Sequence, residues 1–237
     1  MKIRSRNGTS GLGLALLLAC SCSQPNHTPP TSTTPTGSAI DVVQRVHHAT
    51  RGTSITTTFP NGPANVGDVI VAVLGVENDS DPIVFVPSGF TSAFTLTRGG
   101  VYWKASDGTE ASVTVRIHGK TARDLSLTSY ELSGIDPAMP VDAYGGATFS
   151  SPVTSVIAST DTPTIRTGGY AIAEVYMNGT NGDDVTATDG FEVVDSSTRR
   201  IAVEKSLSAT GTISTTFGWT TPRAGSWVLF ALTARSA

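Results

Sequence analysis

Residues 125–142 read LSLTSYELSGIDPAMPVD and separate two parts of the chain that have a similar pattern. The first eight of these residues predict a β-strand. The segment that follows carries Pro137 and Pro140. Proline fixes φ and removes a backbone N–H donor, so this segment predicts a turn-rich crossover at the point where the chain leaves a sheet.

Short runs of alternating polarity, bounded by Gly, Pro, Asn and Asp, recur from residue 39 to residue 237. This period-two pattern predicts β-strands, and helical periodicity is nearly absent. Residues 68–76 are apolar on both faces and are expected at the centre of a sheet. Asp107-Gly108 predicts a hairpin turn between two strands. The sequence therefore predicts an all-β fold, specifically an antiparallel two-sheet β-sandwich.

An internal repeat indicates that this sandwich is built from two similar halves. Gly67-Asp68-Val69 and the apolar run after it reappear 101 residues later as Gly168-Gly169-Tyr170. The same shift relates Gly89-Phe90 to Gly190-Phe191 and Lys104 to Lys205. We expect halves at about residues 39–132 and 162–237, with residues 133–161 as the crossover. The alternative is chance agreement among β-strand sequences.

The N-terminus resembles a bacterial lipoprotein signal peptide at residues 1–19. Lys2, Arg4 and Arg6 precede a short apolar run that ends at Cys20. The resemblance implies that Cys20 is lipidated and anchors the chain by its acyl chains. Because Ser21 follows, it also implies the outer membrane, if the cell has one. The alternative is an ordinary secretory signal.

Residues 20–38 predict an extended tether, because they are rich in Pro, Thr and Ser and have no aliphatic side chain to bury. The chain's two cysteines, Cys20 and Cys22, both lie there, so no disulfide is expected in the folded part. Without the signal peptide, 13 basic residues face 19 acidic ones. This balance argues against a nucleic-acid partner.

Residues 134–142, GIDPAMPVD, resemble the motif G-[VI]-D-P-x-x-P-[IV]-D of jelly-roll-type β-sandwich modules from bacterial surface proteins and phage tails. The resemblance implies surfaces for attachment or glycan contact and supplies no catalytic residue. The residue types themselves, apart from the resemblance, predict a structural turn at Asp136, Pro137, Pro140 and Asp142, since Asp before Pro favours turn initiation. The alternative is that the two aspartates bind a metal ion.

Two acidic loops follow strands that the repeat makes equivalent. One carries Glu77, Asp79 and Asp81, and the other carries Asp183 and Asp184. Clustered carboxylate oxygens are ligands for Ca²⁺, so calcium is a candidate cofactor here and no other cofactor is expected. The alternative is two solvated turns.

Three aromatic residues, Trp219, Tyr144 and Tyr176, are candidates for ligand contact by stacking on a sugar ring, although aromatic residues of a sandwich usually belong to its core. Trp219 is expected to be exposed at a strand end.

The sequence contains no known catalytic motif. Glu174 lies in an apolar run, either as a buried acid–base group or, as we expect, at an edge or surface-facing position. His47 and His48 are expected on opposite faces of a strand.

Together these features predict a lipid-anchored protein of the bacterial envelope or cell surface. Its β-sandwich is expected to serve in binding or adhesion, with a glycan or a surface protein as partner. The alternatives are an enzyme acting on surface polysaccharide, which requires a suitable pair of carboxylates, and a purely structural envelope lipoprotein.

Overall fold

The computed structural model describes residues 39–77, 84–118, 121–178, 185–197 and 200–236. Within these ranges the chain forms fourteen β-strands and no helix. Every strand pair is antiparallel. The all-β, antiparallel part of the prediction is therefore confirmed.

The first main sheet has the strand order β1-β8-β3-β6-β5. Its strands are β1 (Asp41–Gly52), β8 (Arg123–Ser133), β3 (Val69–Val76), β6 (Gly99–Ala105) and β5 (Thr91–Leu96). A short sheet has the order β2-β7-β4. It consists of β2 (Ser54–Thr58), β7 (Ser112–Ile117) and β4 (Val84–Phe85).

The second main sheet has the order β11-β14-β10-β13-β12, with β9 also paired to β14. Its strands are β9 (Val141–Ser159), β10 (Tyr170–Met177), β11 (Thr186–Ala187), β12 (Glu192–Ser197), β13 (Arg200–Ser206) and β14 (Ser214–Leu232). In the two 19-residue strands β9 and β14, the pairing of residues 141–149 with 225–232 is separated by register shifts from that of 155–159 with 214–218, and Val153 pairs with Arg223 between them.

Three hydrophobic cores show that the strands are stacked in layers. The core between the two main sheets includes Val71 and Tyr130 from one sheet and Ile172 and Phe230 from the other. The opposite face of the first main sheet packs on the short sheet through residues such as Ile70, Leu74, Val113 and Val115. The opposite face of the second main sheet packs on Phe217 and Trp219 from the first part of β14.

Strand β3 shows why the sequence places it centrally. Val69, Val71 and Val73 enter the core between the main sheets, while Ile70, Ala72 and Leu74 enter the core on the other face. All eight residues are buried, as their apolar character on both faces predicts. Each large aliphatic side chain buried in this way contributes about 1.5–3 kcal/mol.

The two main sheets are consistent with the predicted sandwich, and the described residues form the short sheet in addition to them. Residues 141–159, which lie within the predicted crossover 133–161, form strand β9. Pro152, Gly145 and Gly146 hide this strand in the sequence. Gly145 is required by a close approach, since a Cβ there would lie 2.0 Å from the carbonyl oxygen of Ser159.

The motif at residues 134–140 joins β8 of the first main sheet to the end of β14. The N–H of Asp136 donates to Thr233 O at 3.0 Å, and the N–H of Arg235 donates to Gly134 O at 2.7 Å. The N–H of Thr233 donates to Pro140 O at 2.9 Å. The predicted turn therefore also fastens the C-terminal residues to the fold.

Candidate functional site

Asp136 and Asp142 hold the loop that precedes β10. Asp136 Oδ1 accepts a hydrogen bond from the N–H of Ala138 at 3.0 Å, and Oδ2 pairs with Arg166 Nη1 at 3.2 Å. The Ala138 N–H and the Arg166 guanidinium lower the pKa of Asp136. Asp142 Oδ2 accepts from the N–H groups of Ile165 and Arg166 at 3.0 and 3.2 Å. Both carboxylates therefore have a structural role in this structure.

The predicted calcium ligands are mostly outside the described residues. Asp79, Asp81, Asp183 and Asp184 lie there, and only Glu77 is described. In the described part of the chain, no group of three or more His, Cys, Asp or Glu side chains is arranged to hold a metal ion. Calcium binding by these loops stays a prediction.

Two of the three candidate aromatic residues are in the core. Trp219 is 5% exposed, and its Nε1–H donates to Val153 O at 2.7 Å. Tyr176 is also 5% exposed, and its ring lies so close to Gly75 that a Cβ there would be 2.7 Å from Tyr176 Cγ. The predicted exposure of Trp219 is wrong, because the first part of β14 turns its apolar face to the core on the opposite face of the second main sheet.

Tyr144 is 42% exposed and stacks on Phe94 with ring centroids 4.9 Å apart. Phe94 belongs to the first main sheet and Tyr144 to the second, so the pair closes one flank of the core between them. Ligand contact by Tyr144 stays a prediction.

Cys20 lies outside the described residues, as do the signal peptide and the tether. In the ranges that the structure covers, there is no helix with the length and hydrophobicity of a bilayer span.

A buried ion pair lies between the main sheets. Glu174, on the central strand β10, accepts two hydrogen bonds from Arg200 on β13, with N–O distances of 2.7 and 2.9 Å. Glu174 is 5% exposed and Arg200 is 1% exposed. The expected surface-facing position of Glu174 is therefore wrong. Arg200 also pairs with Asp195 Oδ2 at 2.8 Å, which compensates its burial further.

The first main sheet supplies two more partners to this pair. Tyr130 donates its hydroxyl hydrogen to Glu174 Oε1 at 2.7 Å, and Thr128 donates to Oε2 at 3.2 Å. Burial and the neighbouring Glu174 carboxylate raise the pKa of Tyr130. A cavity of about 10 Å³ lies beside Glu174 and Arg200, close to the smallest space that holds one water molecule.

His47 lies near the buried charges of Glu174, Arg200 and Asp195. The next residue, His48, is exposed, as the alternation of β1 predicts. The Nε2 atom of His47 is 3.0 Å from Ser126 Oγ. Burial, and next the positive charge of Arg200, lower the pKa of His47 to about 4. His47 is therefore neutral at neutral pH.

A second ion pair crosses between the sheets near the N-terminal end of β1. Arg45 Nη1 is 2.6 Å from Glu204 Oε1, and Arg45 Nη2 donates to Val194 O at 2.9 Å. Tyr170 donates its hydroxyl hydrogen to the other oxygen of Glu204 at 2.7 Å. Burial and the hydrogen bond to Glu204 raise the pKa of Tyr170. We name the charged residues of both pairs, together with Asp195, the ionic seam: Arg45, Glu174, Asp195, Arg200 and Glu204.

A groove opens directly above the Arg45–Glu204 pair. It consists of two depressions of about 590 and 400 Å³. Both are lined by Tyr170, Val194, Glu204 and Ser206. Asp41 lies on the β1 side and Glu192 on the β12 side. This size is typical of a site for a small molecule or a short oligomer, and several polar side chains line it.

The groove is suited to bind polar groups, because carboxylates, a guanidinium and a phenol lie close together. Glu192 and Glu204 occupy directly opposed positions on β12 and β13, so these two carboxylates share one wall of the groove. The sequence predicted neither Arg45 nor Glu204 as a site residue. The available signal was a charge within otherwise apolar strand sequences, such as RIAVEK at residues 200–205.

No family model, curated protein or solved structure matches the chain.

Proposed function

We propose that this chain is a lipid-anchored protein of the bacterial envelope that binds a glycan in the groove above Arg45, Tyr170 and Glu204. The observation that carries the proposal is that these three side chains contact one another and together line a depression of about 590 Å³. Sugar hydroxyls both donate and accept hydrogen bonds, so they fit a surface with carboxylates and cationic groups side by side.

Binding is favoured over hydrolysis by the state of Glu204. One of its oxygens is bound by Arg45 and the other by Tyr170. A carboxylate held in this way is occupied and is poorly placed to attack a sugar or to transfer a proton. Retaining and inverting hydrolases also require two carboxyl groups on either side of the scissile bond. Glu192 and Glu204 share one wall of the groove and do not form such a pair, so hydrolysis would have to use Asp41 and Glu192, which line opposite sides.

We further propose that the groove is carried by a duplicated jelly-roll-type unit. The order β1-β8-β3-β6-β5 corresponds to the order β9-β14-β10-β13-β12 in the second main sheet. The short sheet β2-β7-β4 corresponds to the end of β9, the start of β14 and β11. Each proposed half is thus a two-layer sandwich, and the halves meet through their main sheets.

Irregularities of the strands support the same duplication. The register of β1 shifts at Val43, and that of β9 shifts at Asp142, its equivalent. The registers of β5 and β12 shift at Ala93 and Val194, which are 101 residues apart. A β-bulge is a specific feature of a fold. Register shifts at equivalent positions of the two halves therefore argue against chance agreement between strand sequences.

Glycan binding is tested with a glycan array on the mature protein in detergent, with and without calcium. We expect binding to a restricted set of glycans. Asp41→Ala and Glu192→Ala, which change the sides of the groove and spare its floor, are expected to weaken it at least tenfold. The control Asp161→Ala removes an exposed carboxylate that does not line the groove and is expected to leave binding unchanged. Absence of binding under both conditions would contradict the proposal.

A further inference from the structure

The proposed duplication gives each strand residue of one half an equivalent position in the other half. Arg45 pairs with Tyr130 across β1 and β8. Tyr144 pairs with Phe230 in the same way across β9 and β14. Since the repeat relates Tyr130 to Phe230, Arg45 is the equivalent of Tyr144. The flank of the core where β1 meets β12 and β13 therefore corresponds to the flank where β9 meets β5.

Equivalent positions on these two flanks have different chemistry. On the first flank Arg45 forms an ion pair with Glu204. The strand registers make Trp103 the equivalent of Glu204, and an indole ring cannot accept a hydrogen bond from a guanidinium. On the second flank Tyr144 stacks on Phe94 with ring centroids 4.9 Å apart. One flank is therefore ionic and the other is aromatic.

The space for side chains differs in the same way. His47 of β1 lies near Asp195, and its equivalent on β9 is Gly146. A Cβ on Gly146 would already lie 3.0 Å from side-chain atoms of Leu96 and Phe94. In a pair of two first halves, the imidazole of His47 would take the place of Gly146 and overlap with these side chains. The first half therefore does not fit a second copy of itself.

The buried centre of the interface makes the same distinction. Tyr130 of the first half donates its hydroxyl hydrogen to Glu174 of the second half at 2.7 Å. The equivalent of Tyr130 is Phe230, and the equivalent of Glu174 is Val73. Two first halves would bury the Tyr130 hydroxyl against Val73, and two second halves would turn Glu174 toward Phe230. Either pairing leaves a buried polar group without its partner, which is unfavourable.

Two second halves would also lose their contacts at the flanks. Glu204 would meet Tyr144 in place of Arg45, so its carboxylate would lose the positive charge beside it. Tyr144 would meet Asp195 in place of Phe94, because these two residues occupy equivalent positions on β12 and β5. The aromatic stacking would therefore be lost as well.

We propose that the faces that the two main sheets turn to each other, which we name the inner faces, select the unlike half and reject a second copy of the same half. The determinants are the ion pair at Arg45, the hydrogen bond of Tyr130 and the fit of Gly146 against Phe94 and Leu96. Chains that fold side by side on a membrane consequently pair unlike halves only. The inference rests on the proposed duplication and is independent of glycan binding.

The selection is tested on the full chain with a protease site inserted between the exposed residues Ala138 and Met139, where the halves are joined. Cys20 and Cys22 are replaced by Ser, so that neither a lipid nor a disulfide links two copies. Cleavage leaves both halves in one non-covalent complex. This complex is unfolded in urea and refolded. Native mass spectrometry then distinguishes pairs of unlike halves from pairs of like halves by their masses.

We expect unlike pairs to exceed like pairs by about tenfold or more, because each like pair leaves buried polar groups without partners. Random association would give equal amounts. The variant Arg45→Tyr/His47→Gly/Tyr130→Phe gives the first half the residue types of the second half at equivalent positions, and it should form pairs of first halves. The control His48→Gly/Arg51→Tyr makes similar changes at exposed positions of β1 and should leave the distribution unchanged.

Equal amounts of like and unlike pairs in the unchanged halves would overturn the selection and leave the duplication standing, since the two inner faces would then be interchangeable. Failure to recover the unlike complex would overturn the recognition between the inner faces. Absence of paired first halves in the triple variant would overturn the assignment of the determinants to these residues.

Discussion

At the scale of single residues, the clearest energetic feature is the pair Glu174–Arg200. Two buried charges are stable only because each is neutralised and hydrogen-bonded by the other and by Asp195 and Tyr130. Such a pair contributes little net stability compared with apolar residues of similar volume. Removal of either member alone therefore lowers the free energy of unfolding strongly, because the other charge is left buried and unpaired.

We expect Arg200→Met to lower the free energy of unfolding by about 3–5 kcal/mol, because Glu174 is left buried and unpaired. The double variant Glu174→Met/Arg200→Met should recover most of this loss. Urea unfolding followed by circular dichroism measures both. Arg51→Met is the control, since the exposed Arg51 side chain lies 3.6 Å from Asp124 and should contribute less than about 1 kcal/mol. Equal losses in the single and double variants would contradict this explanation.

Gly134 is a second position where a single substitution is expected to change the stability, because there is no space for a Cβ atom. Its φ of +74° disfavours any side chain, and a Cβ would lie 2.2 Å from the carbonyl oxygen of Ala39. Gly62 has a φ of +97° with no atom within 4 Å of its Cβ position.

We expect Gly62→Ala to cost about 1–2 kcal/mol from backbone strain alone. Gly134→Ala should cost clearly more, because the clash with Ala39 adds to the strain. Thermal unfolding of the two variants side by side measures the difference. Equal melting temperatures of the two variants would contradict this prediction, because they would mean that the backbone shifts to relieve the clash with Ala39.

Some site residues could be predicted from the sequence and others could not. Asp136 could be assigned to a structural turn because its role depends on the adjacent proline and on the N–H of Ala138 two residues away. The structural role of Asp142 was predicted, but its partners Ile165 and Arg166 were not, because they lie 23 and 24 residues away in the sequence. Arg45 and Glu204 were missed because their partnership joins strands that lie 159 residues apart. Trp219 was misplaced because alternation tells which residues share a face and does not tell whether another layer covers that face.

At the scale of elements, residues 68–76 were predicted as a central strand, and β3 (Val69–Val76) lies in the middle of the first main sheet. Strand β9 was missed because Gly145, Gly146 and Pro152 interrupt the run of residues that favour strands. The Asp107-Gly108 turn forms, with Gly108 at φ +89°, yet the predicted hairpin is wrong. β6 and β7 belong to different sheets, so this turn carries the chain between layers.

The loop before β10 gives an element-scale prediction. Asp142→Ala removes the acceptor for two backbone N–H groups, those of Ile165 and Arg166. We expect a loss of about 1–2 kcal/mol and faster amide hydrogen exchange across residues 163–168, with β10 unaffected. Asp161→Ala changes an exposed carboxylate of the same loop and should leave the exchange rates as they are. Unchanged exchange in Asp142→Ala would contradict the structural role of Asp142.

At the scale of the whole molecule, the proposed attachment depends on one of two cysteines that lie close together in the sequence. We expect the wild-type protein to incorporate labelled palmitate and to fractionate with membranes. Cys20→Ser should abolish the label, because no other residue is proposed to carry the lipid. Cys22→Ser should retain it. Label that persists in Cys20→Ser, or is lost in Cys22→Ser, would contradict the assignment.

The central proposal for the whole molecule is that two equivalent sandwich units meet through their main sheets. The central strands of each unit, β3 and β8 in one and β10 and the second part of β14 in the other, are almost entirely buried. Their amides should open only when the whole body unfolds.

Residue-resolved amide hydrogen exchange on the mature protein tests this arrangement most directly. We expect the slowest amides in β3 and β8 and, displaced by 101 and 100 residues, in β10 and the second part of β14. Slow exchange confined to one of the two units, or centred on residues 160–169, would contradict it.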